Sequence, residues 1–164
     1  MVILGIDPGS LKTGYGLIDV EGHVSQHMSH GVIHLKEFKQ LADKLSCLYE
    51  KISHVILEFQ PQHCAIEKVF YSKNAQSMLK LGEARSVSLL AAIHKGVAIY
   101  EYTPLEVKQA AVGIGNAPKE QVQRMIQVIL KLSNPPFEDA ADALAIAMCH
   151  AQTYKFKERI DRAC

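Results

Sequence analysis

Val2-Ile3-Leu4-Gly5-Ile6-Asp7 is a short apolar run that ends on a carboxylate, and the glycine-bearing turn Pro8-Gly9-Ser10-Leu11-Lys12-Thr13-Gly14 follows it directly. Aliphatic and β-branched residues in a run of this length read as a strand. Tyr15–Val20 reads as a second strand, Glu21-Gly22 as a hairpin turn, and His23–Ile33 as a third strand whose polar residues leave one face in water. Three strands joined this tightly run antiparallel to their neighbours.

Beyond Phe38 the period changes. Leu41, Leu45, Leu48, Ile52 and Val55 recur at helical spacing, an apolar stripe suited to packing on the sheet. After Gln60-Pro61, His63–Glu67 is a fourth strand that again ends on a carboxylate, Ala75–His94 is a long helix, and Val97–Tyr102 is a fifth strand. Thr103-Pro104-Leu105-Glu106 carries a capping threonine, a first-turn proline and a glutamate three past the cap, so a helix starts there and ends near Gly113. Pro118–Leu132 is a further helix. Ser133-Asn134-Pro135-Pro136 breaks the chain before a last helix from Glu138 to about Tyr154, whose alanine-rich face suits close approach to the sheet. The order βββαβαβααα predicts an α/β fold: a five-stranded mixed sheet, its first three strands antiparallel, flanked by helices.

The composition fits that reading. With 164 residues the chain holds one domain of ordinary size, expected over residues 1–155, followed by a short charged tail over 156–164. Hydrophobic residues make up 48%, enough for a buried core. The formal charge of +1 marks no nucleic-acid binder and excludes none, because a basic rim around an acidic pocket cancels in the total. The opening residues lack the basic region of a signal peptide, and no apolar run approaches the roughly 18 residues of a membrane span. The four cysteines show no C-x-x-C spacing and read as reduced thiols. A soluble, cytoplasmic protein is expected.

Two strand ends carry acids, Asp7 and Glu67. If their strands are parallel neighbours, both carboxylates emerge at one edge, where α/β sheets present functional groups. Asp139 and Asp142 are three apart on the last helix and share a face. Singly, each has a plain explanation: a solvated strand end, or an acid favoured by the dipole of a helix start. Together they point elsewhere, since charges on an alanine-rich helix built for packing are costly unless they face a cleft or an ion. Four oxygen donors suit Mg²⁺ or Mn²⁺ and not zinc, and permit two-metal phosphodiester hydrolysis, with Asp7 placed to bridge two ions.

These residues resemble the RuvC family of bacterial Holliday-junction resolvases, in the ribonuclease-H-like superfamily. The likeness runs through nearly the whole chain: Gly5-Ile6-Asp7-Pro8-Gly9-Ser10 with Thr13-Gly14-Tyr15-Gly16, Ala65-Ile66-Glu67-Lys68-Val69-Phe70 with Lys73-Asn74-Ala75, Leu79-Lys80-Leu81-Gly82 with Ala84-Arg85, Val107-Lys108-Gln109, Val112-Gly113-Ile114-Gly115, and Asp139–Ala147. The resemblance implies a homodimer that binds a four-way DNA junction and nicks two opposed strands symmetrically, leaving 5′-phosphate and 3′-hydroxyl ends, in recombination and repair. It implies catalytic and metal-holding roles for Asp7, Glu67, Asp139 and Asp142, with two Mg²⁺ per site and Mn²⁺ able to substitute, and a partnership with the RuvA–RuvB branch-migration complex.

DNA contacts are expected from Phe70, an aromatic beside the acidic site that suits base stacking, and from Lys108 and Lys119, which bracket a glycine loop. Single lysines are by default solvated; the resemblance matches these two to positions important for activity, and their expected task is to hold the scissile strand and offset charge in the transition state. Tyr71, Asn74 and Arg85 complete the candidates. His150, eleven residues past Asp139, is about 16 Å away along a helix and too far to share its ion, and His23, His27, His30 and His34 read as groups on an outer strand. Two other classes compete: a non-catalytic junction-binding module, and a phosphotransferase of the actin-like fold, whose first strand also ends in Asp and a glycine turn but which needs a second lobe. A nuclease for RNA–DNA hybrids is a nearer variant.

Overall fold

A computed structural model describes residues 1–68, 74–115 and 117–163, the stretch 157–163 by its backbone alone. Its elements are β1 (Val2–Asp7), β2 (Lys12–Glu21), β3 (Val24–His34), α1 (Leu41–Phe59), β4 (His63–Glu67), α2 (Ala75–His94), β5 (Ala98–Tyr102), α3 (Pro104–Val112), α4 (Lys119–Ile129) and α5 (Glu138–Ala163). The sheet order is β3-β2-β1-β4-β5, with β1–β2 and β2–β3 antiparallel and β1–β4 and β4–β5 parallel. This is the expected five-stranded mixed sheet.

Strand parity divides the core in two. Ile3, Ile18, Ala65 and Tyr102 pack with α3, α4 and α5 on one face; Leu4, Ile6, Leu17, Cys64 and Ile66 pack with α1 and α2 on the other. A period of two assigns each strand's alternate residues to opposite helical layers.

α5 lies across the middle of the sheet unusually closely. A Cβ at Gly5 would collide with the Ala143 carbonyl oxygen, one at Gly14 with the Asp139 carbonyl oxygen, and one at Gly16 with the Leu144 side chain. Ala140, Ala141, Ala143, Ala145 and Ala147 are all buried. Small residues on both surfaces thus bring backbone against backbone, as the alanine-rich face predicts. This contact also explains why β2 reaches back to Lys12: Gly14 and Gly16 belong to the strand that carries α5, where the sequence suggests a turn around Gly14.

The cap signals operate as read. Thr103 Oγ1 accepts from the Glu106 amide and the Glu106 carboxylate accepts from the Thr103 amide, a complete capping box, while Gly113 closes α3 at φ 76°. α5 continues past Tyr154 to Ala163, beyond its expected end and through most of the expected tail, because Lys155–Arg162 contains no helix breaker. Cys47, Cys64 and Cys149 are free thiols, and among the described residues no helix is long and apolar enough to cross a membrane.

Candidate active site

Parity aims two carboxylates at α5. Asp7 follows Ile3 and Gly5 on the α5 side of β1, and Glu67 follows Ala65 on the same side of β4. The two strands are parallel and paired through Ile6 and Ile66, so both acids leave the sheet at one edge, side by side. The turn after β1 is closed by buried Thr13, whose hydroxyl donates to the Gly9 carbonyl and accepts from the Gly9 amide. Above this edge begins α5, held down by the glycines of β1 and β2.

The result is a cavity of about 290 Å³ lined by Asp7, Glu67 and Asp142, with Lys108 of α3 and Lys119 of α4 on its wall. Asp139 stands beside the cavity, its Oδ2 4.0 Å from Lys12 Nζ. Lys119 Nζ donates to Asp142 Oδ2 at 3.3 Å and to Glu138 Oε1 at 2.8 Å. A larger groove lies along β3 and the 129–137 segment, but it has no convergent acids.

Charge crowding shows in the titration of the acids. The Asp7 carboxyl is pushed up to about 8, first by burial and then by Asp142, Glu67 and Asp139, with Lys119 opposing. Glu67 and Asp142 are raised too, again mainly by burial, and Lys119 opposes in both cases. Glu138 is lowered by its bond to Lys119, and Lys119 is held more firmly as an ammonium by the same bond. The site is therefore short of positive charge even with two lysines at its wall.

A divalent cation fits that shortage. The donor set is all oxygen, as Mg²⁺ and Mn²⁺ prefer, and a cation would offset both the burial and the repulsion that make Asp7 hold a proton. Among the described residues, no three acidic, histidine or cysteine side chains already form a closed metal cage. The three carboxylates line an open cavity instead, with Lys119 on one of them.

Other sequence candidates find different places. Arg85 does not line the cavity: its Nε donates to the Glu67 backbone carbonyl and its guanidinium pairs with Glu101 of β5, so it braces the strand end from behind. Asn74 Oδ1 caps α2 by accepting from the Ser77 amide. Phe70 and Tyr71 lie outside the described residues. His150 is fully buried and hydrogen-bonded to Tyr102 and His63, a chain that ties α5 to β5 and β4. His27 and His30 contact each other on edge strand β3.

Two site residues went unread in the sequence, Lys12 and Glu138. Glu138 was legible in retrospect, since it precedes Asp142 by one helical turn and so shares its face. Lys12 carried no local signal.

A five-stranded mixed sheet that brings acids from its first and fourth strands to Asp142 of the last helix has the ribonuclease-H-like architecture. The comparisons narrow the class. Residues 3–150 match the family model described as crossover junction endodeoxyribonuclease RuvC. The crossover junction endodeoxyribonuclease RuvC of Citrifermentans bemidjiense is 47% identical over 153 residues, 93% of each chain. The Thermus thermophilus RuvC structure superposes with a TM-score of 0.86 at 34% identity, over 96% of this chain and 97% of that one. The T. thermophilus RuvC in complex with Holliday junction substrate gives 0.90 at 33% identity, over 96% of both. The chain belongs to the RuvC family.

Proposed function

We propose that this protein is a metal-dependent endonuclease that cuts four-way DNA junctions by paired, symmetric nicks. The observation that carries the reading is the cavity where Asp7, Glu67 and Asp142 meet Lys108 and Lys119; the solved relative in complex with a Holliday junction supplies the substrate class.

Asp7, Glu67, Asp142 and Asp139 would hold Mg²⁺, two ions per site, with Mn²⁺ able to replace it. Bound there, the metal supplies a polarised water and charge compensation at the departing 3′ oxygen. The chain's own residues do the rest. Asp7 is fixed at the end of the central strand β1, by its pairing with Gly14 and by the Thr13-closed turn, so it presents its oxygens with little freedom. Lys108 and Lys119 face the phosphate from the cavity wall and offset the charge that grows on it. Phe70 and Tyr71 are proposed to stack on bases at the crossover, and Asn74 to contact the strand.

A twofold protein suits a near-twofold junction. Leu79, Leu90 and Ile93 of α2 are exposed and lie within about 60° of one another around the helix, a stripe on which we place the homodimer interface. Cytoplasmic residence and a partnership with the RuvA–RuvB complex belong to the same reading.

The test is to incubate the protein with a synthetic mobile four-way junction and Mg²⁺ and map both 5′ ends. Symmetric nicks at equivalent positions support the reading. Junction binding without Mg²⁺-dependent cutting, or cutting that survives Asp7→Asn, sinks it; the first outcome leaves a binding module.

A further inference from the structure

We propose that Glu138, which lies outside the carboxylate cavity, is a positioning residue that keeps the Lys119 ammonium at the cavity mouth once the cavity's own acids are engaged by metal. The inference rests on the nuclease reading above and concerns how one wall lysine is held.

Lys119 sits astride one turn of α5. Its Nζ lies 2.8 Å from Glu138 Oε1 and 3.3 Å from Asp142 Oδ2, and these two acids are four residues apart on one helix face. They differ in environment. Asp142 is 25% exposed and lines the cavity, whereas Glu138 is 63% exposed and does not. The backbone frame of the contact is fixed. Lys119 is the first residue of α4, Glu138 the first of α5, and Gln123 Nε2 of α4 donates to the Pro136 carbonyl just before α5.

The two partners cannot play the same part throughout. Asp142 is one of the acids that a divalent cation would take, and a carboxylate neutralised by such an ion is a poor partner for an ammonium. A lysine stem with four rotatable bonds, left without a partner, spreads over many rotamers. Glu138 is too far out on the rim to line the cavity, so its bond to Nζ survives when Asp142 is occupied. In the metal-free protein Lys119 occupies Asp142 as a stand-in cation; Glu138 draws it off and eases the entry of metal. One exposed glutamate thus serves both steps through Lys119, and it touches neither the metal nor the reacting phosphate.

The experiment is a double-mutant cycle on E138Q, K119A and E138Q/K119A, read in two ways. Single-turnover cleavage of a synthetic junction is measured at saturating Mg²⁺, and Mn²⁺ binding without DNA is followed by electron paramagnetic resonance. E138Q is expected to slow cleavage about 3–10-fold with junction affinity no weaker, and to weaken Mn²⁺ binding several-fold. In the K119A background the same change is expected to alter either quantity by less than about twofold, because the residue through which Glu138 acts is gone. Losses that multiply, a Mn²⁺ effect that persists without Lys119, or an E138Q protein as fast as the unaltered one would overturn the proposal. An unaltered protein that fails to cut the junction removes the nuclease reading itself. Normal cutting, with K119A impaired and E138Q unaffected, removes only the role of Glu138.

Discussion

The backbone of Gly14 in β2 rests directly on the carbonyl of Asp139 at the start of α5, with no room between them for a methyl group. This contact sets the height of α5 above the sheet, and so the distance between its acids and Asp7. Gly14→Ala forces a Cβ into a backbone oxygen, which cannot swing aside as a side chain does. Overpacking of this kind costs about 1–3 kcal/mol. We expect denaturant melts to show that loss, and junction cleavage to fall further than the folded fraction does, because Asp139 and Asp142 are carried away from β1. A Gly14→Ala protein with unchanged stability and rate would mean that the helix can ride higher without consequence.

Asp7 makes the metal-free protein lose stability as pH rises from about 4 to 8. Its carboxyl holds a proton up to about pH 8 in the folded chain, against an ordinary value of 3.8. A raised carboxylate stabilises the fold fully below its ordinary value and loses that contribution as pH rises through the raised one. Between about pH 4 and pH 8 the folded protein keeps the proton that the unfolded chain has released, at about 1.4 kcal/mol per pH interval of one. Glu67 and Asp142, raised in the same direction, add to the slope. In EDTA, the Tm of Asp7→Asn should therefore overtake that of the unaltered protein by a margin that widens from pH 5 to pH 8, reaching several degrees. Mg²⁺ should restore the unaltered protein more than the variant. Parallel Tm profiles for the two proteins across that range would contradict an Asp7 carboxyl raised by burial and by its acidic neighbours.

Lys108 faces the cavity from α3. If it neutralises a phosphate, junction affinity measured without cutting, in Ca²⁺ or EDTA, should fall steeply with salt, and Lys108→Ala should reduce the logarithmic slope by about 1 for each site engaged. An unchanged slope with a reduced cleavage rate would place Lys108 in the chemistry alone.

How far the site could be read in advance follows from which contacts are local. β4 and α2 fall at His63–Glu67 and Ala75–His94, as their apolar runs and flanking breakers indicate, and the alanines of α5 announced its close approach to the sheet. The convergence of Asp7 and Glu67 was legible once two strand ends were seen to carry acids, since parallel neighbours share an edge. The ion pairs were not. Lys12 reaches Asp139, and Lys119 reaches Glu138, only because α5 returns over β1 and β2 and beside α4. No spacing along the chain encodes those meetings. Likewise, no spacing along the chain pairs Arg85 with the Glu67 carbonyl and Glu101, the contacts that the structure gives it.

That arginine offers a way to separate positioning from DNA contact. Arg85 Nε donates to the Glu67 carbonyl at 3.1 Å, and its guanidinium pairs with Glu101, so one side chain of α2 fastens the ends of β4 and β5 together. Hydrogen bonds from a charged group are worth about 1.5–3 kcal/mol when their geometry is good. Arg85→Lys keeps the charge and loses the fork that serves both partners. If Arg85 braces Glu67, the substitution should lower the cleavage rate constant and weaken Mn²⁺ binding, while junction affinity and its salt slope stay as they were. If instead Arg85 grips the DNA backbone, Arg85→Ala should weaken junction binding and flatten the salt slope, and Arg85→Lys should largely preserve both. Measuring the two variants side by side decides the matter, because a brace is sensitive to the shape of the side chain and a phosphate contact chiefly to its charge.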